Sequence, residues 1–530
     1  MWLFLRNPYS FDCRTLNRQS QSVSRGHDVI LHLPKNLEIM VDTFVQTIPK
    51  LRYCALKQHS FLTSEFPMFS TRSFHITVPF CLLPVLLISF VISTSAVFIS
   101  ELHGEDPGNI RLKNWHQWRG PDATGVSRDA SPPTQWSEET NIRWKVAVEG
   151  EGSSTPIIWQ DRVFLLTAID TGIVDPSLPT PEDQPDRAFG IKFPNTEHQF
   201  VVLCLDRKTG QERWRQVATQ HVPHEGHHQD NDFASGSPTT DGERVYCWFG
   251  SAGLFCYDMN GNKLWQRDLG KAYMAVSLGE GCSPVLHNDK LIIQRDHQQQ
   301  SVIEVLDAKT GQTLWKANRE ERSSWATPVV VEYAGHTQVI TAASGLVRSY
   351  DLDDGSVIWQ CSGLTGNVTP CPVVDENAVY CMSGYQGYSI MALPLSAVGD
   401  ISGSDQILWT GNRGTPYVPS PVLYDGLLFF NQSNQGIWTC LDAVSGETLM
   451  GRTRLPGISN IFSSPVAAAG HIYITDRDGT TLVVKRSKTL EVVGSNKLDD
   501  TIDSSAAIAG NELYLRGRKY VYCIADGSRP

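Results

Sequence analysis

Positive charge is the scarcer kind in this sequence: 45 Lys and Arg stand against 56 Asp and Glu over 530 residues, a formal charge of −11. That balance does not attract polyanions and excludes a generic nucleic-acid binder. The glycine-rich phosphate cradles G-x-x-x-x-G-K-[ST] and G-x-G-x-x-G do not occur, and neither does the G-x-S-x-G elbow of serine hydrolases. No two of the 12 cysteines are adjacent, so a vicinal disulfide cannot form. Hydrophobic residues, at 41%, are plentiful enough for a large core, which excludes wholesale disorder.

Charge is unevenly spread. Residues 1–100 hold 9 Lys and Arg against 5 Asp and Glu, while the remainder holds 36 against 51. Residues 76–100 carry no charge, follow Arg72, and precede Glu101, Glu105 and Asp106. A run of that length can span a bilayer, and the flanking charges direct everything after it outward. The same region also reads as a signal peptide. Met68 to Arg72 is a short basic start, an apolar stretch follows, and Ser93 to Ala96 supplies small residues for cleavage. The expectation is export to a periplasm or cell envelope, with membrane contact only through 76–100. In that reading 1–67 is an upstream leader, disordered or preceding the true start, 68–100 the signal or anchor, and 101–140 a lead-in segment.

The rest is a repeat. Asp206-Arg-Lys-Thr209-Gly210 is followed four residues after its glycine by Trp214, and the same spacing joins Gly261 to Trp265, Gly311 to Trp315 and Gly355 to Trp359. Asp442 to Gly446 repeats the turn with Met450 in the Trp place, and Trp409 ends a more diverged copy. Each copy is preceded by Ser or Thr near a proline, at Pro156, Pro238, Pro284, Pro328, Pro372, Pro421 and Pro465, with Ala507 in the eighth place. Except for the first, 82 residues long, these spacings are 42–49 residues. Short strands separated by Gly and Asp turns at this period predict four-stranded propeller blades. Seven are complete. The eighth ends after three strands, and residues 141–146, with Trp144, resemble the missing fourth. The fold class is therefore all-β: an eight-bladed propeller over 141–530, closed by an N-terminal strand. Trp144, Trp214, Trp265, Trp315, Trp359 and Trp409 read as packing residues wedged between sheets.

The Asp-x-x-Thr-Gly-x-x-x-Trp signature resembles the repeat of pyrroloquinoline-quinone (PQQ) propellers. Trp118 to Gly125 resembles the lead-in of exported bacterial proteins of that kind. The resemblance implies one of two roles. Outer-membrane assembly propellers bind partner proteins without catalysis. Quinoprotein dehydrogenases hold PQQ and a metal ion on the axis with a catalytic Asp and, commonly, a vicinal disulfide. The missing vicinal cysteines favour the first: a binding or envelope-assembly module whose partner is an envelope protein or a small ligand. The alternative is a quinone- or metal-dependent oxidoreductase, with PQQ and a divalent metal as possible cofactors. No catalytic residue is assigned.

Two insertions in blade one, 169–199 and 217–234, fall on one face of the ring, where sites are expected. The second contains His221, His224, Glu225, His227, His228, Asp230 and Asp232, a donor set that suits a metal. Its H-E-x-x-H spacing needs a helix, which Pro223 and Gly226 oppose, and the competing reading is a solvated loop whose histidines bond carbonyls. On the same face are expected Arg295, His297, Trp325, Arg413 and Tyr417 as cofactor contacts, the two arginines gripping an anionic group, and Asp476-Arg477-Asp478. Among the cysteines, 247 with 256 and 371 with 381 are expected across hairpins, as buried free thiols or as bridges. Cys204, Cys256, Cys440 and Cys523 share the third-strand position and read as small buried residues.

Overall fold

The computed structural model describes residues 107–527. The expectations for 1–67 and for the signal or anchor at 68–100 lie outside the described residues. Among the described residues, no helix is long and apolar enough to cross a membrane.

Eight antiparallel sheets follow one another around a ring. Blade one is Ile157–Trp159, Arg162–Val174, Thr196–Asp206 and Glu212–His221. Blade eight is Ala507–Ala509, Glu512–Arg516 and Tyr520–Ala525, and its fourth strand is Ile142–Ala147, from the other end of the chain. Lys145 pairs with Tyr522 and Val146 with Val521. The ring is closed as the sequence predicts. Its middle strands are nearly continuous in buried residues, as in Val163 to Ala168, because each blade packs against a neighbour on both faces. Only the outer strands keep the alternation of a half-exposed strand, as in Lys263–Arg267.

The repeat signature has a mechanical explanation. Asp206 Oδ1 accepts the N–H groups of Lys208 and Thr209 and the Thr209 hydroxyl, which fixes the turn. Gly210 then takes φ +72°, and a bulge follows at the start of the outer strand. The tryptophan four residues on does not pack under its own turn. It reaches the turn of the next blade, donating its indole N–H to a carbonyl there. Trp144 bonds Arg207 (2.8 Å), Trp214 bonds Met259 (3.1 Å), Trp265 bonds Ala308 (3.1 Å), Trp315 bonds Leu352 (2.8 Å) and Trp409 bonds Ala443 (2.9 Å). The exception is Trp359, which is fully buried and bonds Gln338. The next blade has a long 394–406 loop where the glycine turn would be, so Trp359 has no turn to latch.

Each latched glycine lies against an indole. A Cβ on Gly311 would stand 2.8 Å from the Trp265 ring, at φ +70°. We expect Gly311→Ala to cost about 1–3 kcal/mol from the left-handed backbone and the displaced ring together. Trp265→Phe, which loses the bond to Ala308, should cost about 1 kcal/mol or more. Urea unfolding checks both, and the double variant should cost clearly less than the sum.

A second belt runs around the axis. In blades two to seven the residue before the proline, and in blade eight Ser505 before Ala506 rather than the residue before Ala507, presents a side chain to the backbone N–H of its counterpart one blade earlier. Thr155 N–H bonds Ser237 Oγ (2.9 Å), Ser237 bonds Ser283 (2.9 Å) and Ser283 bonds Thr327 (3.0 Å). Thr327 then bonds Cys371 Sγ (3.2 Å), Cys371 bonds Ser420 (3.0 Å), Ser420 bonds Ser464 (2.9 Å) and Ser464 bonds Ser505 (2.8 Å). Thr155 Oγ1 closes the circle on the Ser505 carbonyl at 3.0 Å. These bonds satisfy N–H groups that no sheet ladder reaches.

The lead-in segment fills the axis. Trp115 pairs with Ile158 of blade one, and the His116 carbonyl accepts from Thr240 of blade two. Arg119 donates to the carbonyls of Pro465 and Pro421 in blades seven and six, and Val126–Ser127 adds a parallel strand inside Val466–Ala468. Ile158 and Thr240 lie near the ends of their strands, so the segment closes the channel from the face opposite the insertions. Trp118, half-buried, is left as the floor seen from the other side.

The cysteine hairpins are not as expected. Cys247 stands opposite Phe255, and Cys256 opposite Tyr246, so the two thiols point to opposite faces of blade two. The short helical turn at Gly250–Ala252 sets this register. Cys371 belongs to the axial belt, away from Cys381. All nine cysteines of the described residues are free, and Cys204, Cys256, Cys440 and Cys523 are fully buried in third strands. Burial pushes the Cys204 thiol up to about 12 and the Cys440 thiol up to about 11.

Candidate functional site

Above Trp118 opens an axial funnel of about 390 Å³ on the insertion-bearing face. All eight blades contribute, through the loops that lead into first strands and those between second and third strands. Its aromatic wall is Trp118, Phe189, Trp325, Tyr385, Tyr417 and Phe462. Tyr385 and Tyr417 stack with ring centres 5.1 Å apart. Burial, with Tyr385 beside it, holds the Tyr417 phenol above its ordinary pKa, so it is a neutral hydroxyl at physiological pH. Trp325 is fixed by its indole N–H on the Gly279 carbonyl, 2.7 Å away.

The wall contains two carboxylates, Asp230 and Asp503, and neither lysine nor arginine. Both carboxylates are taken by Arg477, at 2.6 and 2.5 Å, and its guanidinium lies over the Phe462 ring. Arg518 adds a further bond to Asp503. The mouth is therefore close to neutral.

The histidine-rich insertion does not converge on one point. Its first residues continue the fourth strand to His221, which stacks on Phe200, and burial lowers the pKa of that imidazole. Beyond it there is no helix. His224 Nε2 faces the Ala272 carbonyl at 2.8 Å, and Glu225 accepts from Met274 N–H and the Ser277 hydroxyl. His227 bonds the His228 carbonyl, His228 accepts from Asp230 N–H, and Asp232 caps Ala234. Among the described residues no three His, Cys, Asp or Glu side chains group as a metal site. The donors are spent on holding a proline- and glycine-containing loop that has no ladder of its own.

The expected cofactor contacts separate likewise. Trp325 and Tyr417 line the funnel. Arg295 is turned away from it: its guanidinium bonds the Leu269 and Gly270 carbonyls beside a second, smaller cavity of about 70 Å³. His297, buried in the same blade, accepts weakly from Gln299 N–H. Arg413 is exposed and outside the funnel. Sequence reasoning missed Phe189, Tyr385, Phe462, Asn367 and Asn434. Their signal is aromatic and amide residues in loops between second and third strands or between blades. Trp118 was visible only as part of the lead-in motif.

A quinone tricarboxylate would need cations that this wall does not offer. Arg477 is neutralised by its two carboxylates, Arg119 is held by backbone carbonyls, and Arg516 is held by Ser154 and the Leu166 carbonyl. The residues present do not fit that group.

Residues 198–451 match the PQQ_2 family model, described as outer membrane protein assembly factor BamB. No curated protein matches the chain significantly. Among solved structures, quinohemoprotein alcohol dehydrogenase from Comamonas testosteroni aligns at 12% identity, over 83% of this chain and 85% of that one, with TM-score 0.50. Quinohemoprotein alcohol dehydrogenase ADHIIG from Pseudomonas putida HK5 aligns at 10% identity over 80% and 82%, also at 0.50. BamB from Moraxella catarrhalis aligns at 13% identity over 72% and 99%, at 0.49. At these identities the likeness is one of fold. Repeat, family match and ring agree on a PQQ-like eight-bladed propeller.

Proposed function

We propose that this PQQ-like propeller is an exported binding module that captures an envelope partner on its insertion-bearing face. The observation that carries the reading is the axial funnel: aromatic, nearly neutral, and closed beneath by Trp118. Buried aromatic anchors in a concave pocket are what recognition sites are made of. The export pattern at 68–100 supports a partner in the envelope. The match to a family described as an outer membrane assembly factor supports a protein partner.

Site-specific photocrosslinking tests this in the native envelope. A benzophenone side chain replaces Phe189 or Val276, both exposed at the funnel, or Val444, exposed on the opposite face. We expect one discrete adduct from positions 189 and 276 and none from 444. No adduct at all, equal adducts from both faces, or stoichiometric quinone in the purified protein would overturn the reading.

A further inference from the structure

We infer that the funnel binds an extended, proline-rich peptide segment. The inference rests on the binding-module reading and names the chemistry of the segment the module would hold.

Most side-chain amide and carboxylate acceptors of the wall are spent, Asn367 Oδ1 being the exception. Asn231 Oδ1 accepts from Asp232 N–H and the Ser235 hydroxyl, and Asn434 Oδ1 accepts from Val418 N–H at 3.1 Å. Asp230 and Asp503 hold Arg477.

The donors are not spent. The hydroxyls of Ser420, Ser464 and Ser505 each accept a belt N–H, and none has an acceptor of its own among the described residues. The Asn434 amide N–H groups and the Tyr385 hydroxyl also lack acceptors there, although all five residues line the funnel. A wall with more spare donors than spare acceptors favours a ligand that accepts more than it donates.

Proline has a backbone carbonyl and no N–H. A polyproline II chain has no internal hydrogen bonds and leaves every carbonyl free. Its rings pack on aromatic faces, and its fixed φ lowers the entropy lost on binding. The stacked Tyr385–Tyr417 pair, Trp325 and Phe462 supply those faces. A saccharide fits less well, because every hydroxyl brings a donor that needs an acceptor. An anionic ligand finds no free cation, and Arg477 already balances the carboxylates that would attract a cation.

The full chain is titrated with a blocked decaproline peptide, a Gly-Ser peptide of the same length and a neutral maltooligosaccharide, read by tryptophan fluorescence and calorimetry. We expect saturable binding of decaproline alone. Asn434→Asp keeps the acceptor for Val418 but removes the spare donors, and should weaken binding about tenfold with an unchanged melting temperature. Tyr385→Ala should weaken it at least as much, and Val444→Ser on the opposite face should leave it unchanged. Failure of decaproline to bind, equal binding of the Gly-Ser peptide, preference for the saccharide, or an Asn434→Asp variant that folds and binds normally would overturn the inference. A crosslinked partner peptide without proline would overturn it too, while leaving the binding-module reading in place.

Discussion

Removing residues 142–147 abolishes cooperative unfolding: this is the largest effect we expect in the molecule. The strand is the fourth of blade eight, paired along Tyr520–Ala525. Without it the edge carrying Tyr522, Cys523 and Ile524, all fully buried, opens to water. Trp144, which latches blade eight to the turn of blade one, goes with it. A ring differs from an open stack in that one lost interface frees both ends. The first and last blades then each carry an uncovered apolar face, and repeat stability depends on neighbour interfaces. Circular dichroism melting of the deletion should show no sharp transition and should show aggregation on warming. A variant that melts as one cooperative unit near the parent temperature would refute closure by this strand. The outer, fourth strand of blade seven, Val492–Lys497, is a useful contrast. Their blade is joined covalently at both ends, so substitutions there should weaken the ring without opening it.

Acid should destabilise the protein through His116 well before the carboxylates titrate. This imidazole is buried in the axial plug, edge-on to Trp159, with Arg111 at 3.0 Å from its Nε2. Burial, reinforced by the positive charge of Arg111, pushes its pKa down to about 3 from an ordinary 6.5. The native ring therefore stays neutral where the unfolded chain has already taken up a proton. Stability from this group is whole above pH 6.5. It falls by about 1.4 kcal/mol per pH unit as the pH drops from there toward 3, because only the unfolded state gains the proton. Over that window the loss is about 4–5 kcal/mol, a large share of a typical folding free energy. Urea unfolding from pH 7 to pH 4 measures the slope. His116→Asn, which cannot titrate, should flatten it by about one proton. An unchanged slope in that variant would assign the acid limb to other groups.

How much of this was legible before folding can be argued from single residues. Asp206, Thr209 and Gly210 announce their turn because the interactions that make it lie within five residues. The period of the repeat, the blade count and the closing strand around Trp144 follow from the same local regularity. The latch and the belt were visible only as a spacing of Trp and of Ser before Pro. What Trp265 or Ser283 touches lies one blade away, about 45 residues along the chain, and depends on how the blades stack.

The candidate site divides the same way. The insertions mark a face, and Trp325 and Tyr417 are on it because their position in the repeat places them there. The histidine-rich segment drew attention by composition, yet composition does not say whether donors converge. In the fold each histidine found a nearby carbonyl, N–H group or aromatic ring. Arg295 turned to two backbone carbonyls, and Arg413 stayed in solvent, because the strand and loop around each fix its direction. The sequence alone determined a ring of eight blades, since blade identity is a short-range pattern repeated. Only the tertiary structure decided that Trp118 forms a floor, that five further aromatic residues from separate loops make one wall above it, and that its spare groups are mostly donors. Those facts belong to residues hundreds of positions apart, and they exist only once the ring brings its loops to a common axis.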